Sequence, residues 1–118
     1  MSEPLPFSSS VKMGDYIFVS GKIGKDPASG GIAKGDIKAQ TLQTLDNLAA
    51  ELRTYGLGME AAVKTTVFLT DMRHFEDMNS VYRTRFGGKP PARSCVGVSA
   101  LPNKDALVEI ELIAFSAS

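Results

Sequence analysis

Two glutamates, one arginine and one cysteine carry the residue types that could do chemistry. Glu109 and Glu111 alternate within the apolar run 107–115, so they share one face of any strand formed there. Alternating acids ordinarily mark a solvated face. Here their neighbours on that face are apolar, and a partly buried carboxylate needs a cation or hydrogen-bond donors. Arg93 would supply that cation if its strand pairs with the last one. It stands just after Pro90-Pro91, which fix the backbone upstream. A guanidinium held at a sheet end can grip a carboxylate in two places, and a structural salt bridge is the plainer reading. Cys95 lies two residues on, on the same face. A free cysteine is ordinarily a small buried hydrophobe, and a nucleophilic role would need a lowered pKa and a nearby base. His74, at a helix start, reads as a surface or cap residue. Asn79, beside an apolar stripe, reads as a half-buried structural amide. The pairs Gly30-Gly31 and Gly87-Gly88 are turn glycines and form no phosphate-binding pattern.

Composition removes several alternatives. One cysteine allows no internal disulfide, and one histidine with one cysteine offers no zinc-ligand spacing, so no metal is expected. A Ser-His-Asp triad would have to recruit His74. Thirteen basic and thirteen acidic residues balance to zero, which argues against nucleic-acid binding through many phosphate contacts. No apolar run is long enough to span a bilayer, and the N-terminus lacks the pattern of a secretory signal. With the single thiol, this points to the cytoplasm and away from membranes. The 118 residues, 43% hydrophobic and 22% charged, fit one globular domain over 1–118.

The positioning elements are legible from local patterns. Residues 1–10 form an irregular Pro- and Ser-rich lead-in. Residues 11–20 form a hairpin around Gly14-Asp15, and the chain continues extended to Gly24. A turn cluster follows at 26–31. Asp36 caps a helix whose face carries Ile37, Thr41, Leu45, Leu48, Leu52 and Tyr55, with Gly56 as its stop. A β-branched strand spans 61–70. A second helix covers about 74–86, with Phe75, Met78, Tyr82 and Phe86 on one stripe. Strands follow at 93–99 and 107–115.

This order implies an α+β two-layer fold with both helices on one face of a mixed sheet. Two helices cover one sheet face only. The other carries Leu107, Ile113 and Phe115 beside the glutamates, too apolar to leave in water. Another subunit is expected to cover it, which places the glutamates at or near an interface.

The residues then resemble a family. Pro91-Ala92-Arg93-Ser94-Cys95-Val96, Leu101-Pro102 and Val108-Glu109-Ile110-Glu111-Leu112-Ile113-Ala114 resemble the signature of the Rid (reactive intermediate deaminase, YjgF-like) proteins. Val19-Ser20-Gly21-Lys22-Ile23, Leu45-Asp46-Asn47-Leu48, Val63 to Phe68, Asp71-Met72 and Met78-Asn79-Ser80-Val81-Tyr82 extend the match over nearly the whole chain. The resemblance implies a chorismate-mutase-like fold and a homotrimer with a central β-barrel and clefts between subunits. It implies hydrolysis of enamines and imines such as 2-aminoacrylate to 2-oxo acids and ammonia, without a cofactor. By position, Arg93 grips the substrate carboxylate and Glu109 is the acid/base that positions the water. Cys95, Ser20 and Asn79 line the pocket, and Gly21 lets backbone approach the ligand. Phe7 stands where the deaminase subgroup usually has tyrosine. It keeps the ring and loses the hydroxyl, which implies weaker activity or a more apolar substrate.

Three readings stay open on the sequence: an imine deaminase, a ribonuclease or translation inhibitor using the basic rim Arg83, Arg85 and Lys89, and a non-enzymatic trimer that binds 2-oxo acids through Arg93.

Overall fold

Gly14-Asp15 turns the chain between two antiparallel strands, β1 (Ser10–Met13) and β2 (Tyr16–Ile23). The computed structural model describes residues 4–117, so residues 1–3 of the expected lead-in and residue 118 lie outside the described residues. Residues 4–9 are irregular. β2 does not simply continue extended. Its pairing shifts register between Val19 and Lys22, a bulge at Ser20-Gly21.

Helix α1 (Ile37–Arg53) begins at Asp36, whose carboxylate accepts from the Lys38 and Ala39 amides at 3.0 and 3.2 Å. It ends where Leu57 N–H donates to the Leu52 carbonyl and Gly56 N–H to the Arg53 carbonyl, with Gly56 at φ +73°. The apolar stripe buries Ile37, Leu45, Leu48 and Leu52 against the sheet. Each such side chain contributes roughly 1.5–3 kcal/mol by leaving water.

β3 (Ala62–Leu69) leads through a 3₁₀ turn, Met72–His74, into helix α2 (Phe75–Tyr82). A second 3₁₀ turn, Arg83–Arg85, follows. The helix expected over 74–86 is therefore shorter. Its stripe holds all the same: Met78, Tyr82 and Phe86 are buried and Phe75 packs against them. β4 (Ala92–Gly97) and β5 (Val108–Phe115) complete the fold.

The sheet order is β1-β2-β5-β3-β4, antiparallel except for the parallel pair β3–β4 joined through α2. β4 is an edge strand beside β3, and β3 separates it from β5. The pairing that would have brought Arg93 beside Glu109 does not occur. Val108, Ile110, Leu112 and Ala114 of β5 face the helices and are buried. Leu107 departs from expectation. It precedes β5, and its N–H donates to Gln40 Oε1 at 2.8 Å, so it packs against the helix-side core and not on the open face. Gln40 Nε2 also donates to the Asp105 carbonyl at 3.1 Å, clipping this loop to α1.

The open sheet face carries Phe18 (46% exposed), Phe115 (40%), Tyr16, Val11, Met13 and Val96. Tyr16 and Phe115 meet edge to face, 5.4 Å between centroids.

Candidate functional site

Arg93 opens β4 on the helix side of the sheet, in register with Thr65. Nη1 donates to Asn79 Oδ1 at 2.6 Å. The guanidinium carbon lies 4.8 Å from the Tyr82 ring centroid and 5.6 Å from that of Phe75. Tyr82 is itself held by a 2.7 Å hydrogen bond between its hydroxyl and Thr65 Oγ1. Burial pushes the Tyr82 phenol up, so it stays neutral and keeps its face for the cation. Arg93 therefore has an amide partner and an aromatic seat, and among the described residues no carboxylate lies within ion-pair distance. The expected salt bridge is not formed among the described residues. Beside the guanidinium lies a cavity of about 250 Å³ lined by Asn79, Tyr82, Arg83, Gly87, Pro90 and Arg93.

Cys95 is on the same side of β4, opposite Val67 and half-buried against the core. Burial pushes its thiol up, and Arg93 opposes that only in part. A thiol held protonated is a poor nucleophile.

Glu109 lies on the opposite sheet face, between Ile23 of β2 and Phe68 of β3. It is half-buried. Burial first, and the charge of Glu111 second, push its carboxyl above the ordinary range. No ion pair or hydrogen bond holds it among the described residues. The bulge brings Gly21 against it: a Cβ on Gly21 would lie 2.9 Å from Glu109 Cδ and 3.0 Å from Cγ, with Oε2 nearer still. A side chain at Gly21 would push the carboxylate out of the position it takes here. Ser20 Oγ donates to the Ser8 carbonyl at 2.7 Å. Phe7 is exposed and immediately precedes Ser8 in the chain.

The sequence-derived residues thus form two groups. Arg93, Asn79 and Cys95 gather at the β4–α2 edge. Ser20, Gly21 and Glu109 gather at the β2 bulge, flanked by the segment of Phe7. Two sheet spacings, about 10 Å, separate the β4 of Arg93 from the β5 of Glu109, the β2 bulge lies one strand further, and the Arg93 and Glu109 side chains leave opposite faces. Tyr82, which with Phe75 seats Arg93, and Thr65, which holds Tyr82, were missed as site residues. The signal was present: Tyr82 shares the α2 stripe with Phe75 and Asn79 lies one turn before it. His74 takes the N-cap position of α2 without a side-chain cap bond. Of the basic rim, Arg85 is paired with Asp46 at 2.6 Å.

A family model described as Endoribonuclease L-PSP matches residues 2–116. The chain belongs to this family, the Rid or YjgF-like proteins. A RutC family protein of Pyrococcus horikoshii is 48% identical over 110 residues, 93% of this chain and 86% of that protein. The mouse protein named 2-iminobutanoate/2-iminopropanoate deaminase is 41% identical over 109 residues, 92% of this chain and 80% of that one. The crystal structure of E. coli TdcF with bound serine superposes with a TM-score of 0.89 at 36% identity, covering 98% of this chain and 91% of that chain. The α+β fold of this Rid chain, with five mixed strands and both helices on one face, is thus the fold of its solved relatives. Among the described residues no group of three or more His, Cys, Asp or Glu could hold a metal ion. No helix among them is long and apolar enough to cross a membrane.

Proposed function

We propose that this Rid-family chain hydrolyses 2-aminoacrylate-type enamines and imines to 2-oxo acids and ammonia. The observation that carries the reading is Arg93: a guanidinium seated on Tyr82 and Phe75, held by Asn79, beside a cavity and without a carboxylate partner among the described residues. Such a group is ready for a substrate carboxylate. The name of the mouse relative and the serine bound to TdcF point to the same ligand class.

Glu109 supplies the proton traffic. The substrate enters as the iminium tautomer, already electrophilic at C2. Water bonds to C2 while the C=N π pair moves to nitrogen, and Glu109 accepts the proton the water gives up. Glu109 then returns that proton to the nitrogen. Glu109, now unprotonated, takes the proton of the new hydroxyl as the C–N bond breaks, so a 2-oxo acid remains. That proton then passes to the departing ammonia, which leaves as ammonium. A carboxyl raised by burial and by Glu111 suits both directions of transfer. Cys95, Ser20 and Asn79 line the cleft between subunits, and no cofactor takes part.

The Arg93 and Glu109 groups do not converge within one chain, so the site is completed by a second copy. The exposed apolar face is the surface that copies cover, in a homotrimer with one cleft per subunit pair. Each cleft takes Arg93, Asn79 and Cys95 from one subunit and Ser20, Gly21 and Glu109 from its neighbour. Phe7 presents a ring without a hydroxyl to that cleft.

The test is a coupled assay in which a serine or threonine dehydratase generates the imine and 2-oxo-acid release is followed. Acceleration over the spontaneous rate is expected. Binding of 2-oxo acids without any acceleration would replace the enzyme by a binding protein.

A further inference from the structure

Glu51 sits on α1 beneath the start of the sheet, in a network of partly buried polar groups. Its two carboxylate oxygens accept from Ser9 Oγ at 2.9 Å and Ser10 Oγ at 2.5 Å. Lys22 Nζ donates to Ser9 Oγ at 2.5 Å and lies 3.8 Å from Glu51. Tyr55, in the turn just after the end of α1, places its hydroxyl 2.8 Å from Ser10 Oγ. The side chains of Lys22 and Glu51 are 23% and 19% exposed, so the pair is largely withdrawn from water. The Ser10 hydroxyl, and after it Ser9 and the Lys22 charge, outweigh burial and hold the Glu51 carboxyl below the ordinary range.

What Glu51 holds is the frame of the β2 bulge. Ser9 and Ser10 belong to the segment whose carbonyls receive Ser20: Ser20 N–H donates to Ser9 O at 3.0 Å and Ser20 Oγ to Ser8 O at 2.7 Å. Lys22 is the first residue after the bulge. One carboxylate therefore ties both flanks of Ser20-Gly21, and Glu51 and Gly21 line the same groove. Gly21 in turn abuts the Glu109 carboxylate.

We propose that Glu51 is a positioning residue: through Ser9, Ser10 and Lys22 it fixes the Ser20-Gly21 bulge and so sets the place of the Glu109 carboxylate in the cleft. The inference rests on the reading of Glu109 as the group that moves the proton. Glu51 touches no substrate. Its charge matters because two hydroxyl donors and the Lys22 ammonium converge on it, while an amide at this position accepts through one oxygen only and carries no charge to pair with the ammonium.

The test measures Glu51→Gln in the coupled assay, with affinity for a non-reactive 2-oxo acid and thermal melting followed in parallel. Below the melting range, kcat is expected to fall roughly tenfold, the scale set by a misplacement of less than 1 Å. Affinity for the 2-oxo acid, which reports the Arg93 group, should stay within about twofold, since that group is separately built. In a Glu109→Gln background the same change should cost nothing further, because Glu51 acts through Glu109. Should Glu51→Gln fail to fold, Ser10→Ala removes one donor and should show the same pattern at smaller size. Unchanged kcat, equal losses in kcat and affinity, or an undiminished loss in the Glu109→Gln background would overturn the inference and leave the deaminase reading intact. A wild type that does not accelerate imine hydrolysis overturns both.

Discussion

Arg93→Ala is expected to lower kcat/KM for small imino acids by about 100-fold and to abolish binding of 2-oxo acids. The guanidinium offers a carboxylate charge-assisted hydrogen bonds, together about 3 kcal/mol of transition-state binding. Of the other groups near the cavity, Asn79 is an amide, Cys95 is a thiol held protonated, and Arg83 is exposed, where water screens its charge. Stability should change little. Removing Arg93 strands no buried carboxylate, because it pairs with none among the described residues. Arg93→Lys keeps the charge and loses both the planar fork and the stacking on Tyr82, so roughly tenfold of the loss should remain. Titration of wild type and variants with pyruvate, alongside melting curves, checks this. A variant that binds pyruvate as wild type does would remove Arg93 from the site.

The second large effect is at Glu109. Glu109→Gln keeps the size of the side chain and removes its ability to take a proton, so kcat should fall by roughly 100- to 10,000-fold. Pyruvate affinity should be nearly unchanged, which separates this variant from Arg93→Ala. The pH dependence has a defined sign. The attacking water needs the unprotonated carboxylate, so the rate should rise with pH through a pKa above the ordinary glutamate value, and the variant should lose that limb. Stability runs the other way. A carboxyl whose pKa is raised on folding binds its proton more tightly in the native state, so its contribution is present at low pH and is lost as pH rises through the folded value. Glu109→Gln should therefore melt no lower than wild type at neutral pH. A stable variant with wild-type kcat would contradict the role given to Glu109.

Local signals account for what the sequence revealed. The Gly14-Asp15 turn, the Asp36 cap, the Gly56 stop and both helix stripes are contacts between near neighbours, and each formed where it was read. The failures are contacts at long range. Nothing near Arg93 says that β4 runs parallel to β3 with β3 between it and β5, so a supposed Arg93–Glu109 pairing became two separate groups. Leu107 left the strand pattern because Gln40, 67 residues earlier, takes its N–H. The bulge at Ser20-Gly21 left only a glycine as its trace. Glu51, between Leu48 and Leu52 and one turn from Tyr55, sat at the rim of a buried stripe. Its partners lie 41 and 42 residues away in the Ser-rich lead-in. The roles of the site residues came from the resemblance, and the structure adds which strand and face carry each of Arg93, Cys95 and Glu109.

The central claim is a cleft that takes Arg93 from one subunit and Glu109 from the next, and mixing the two dead variants tests it most directly. Arg93→Ala and Glu109→Gln chains are unfolded together in equal amounts, refolded and assayed with dehydratase-generated imine. In a cyclic trimer assembled at random, a site with both native residues needs a Glu109→Gln chain supplying arginine beside an Arg93→Ala chain supplying glutamate. That arises at about one site in four. Recovery of about a quarter of wild-type activity is the predicted result. A mixture as inactive as its two components would contradict the shared cleft.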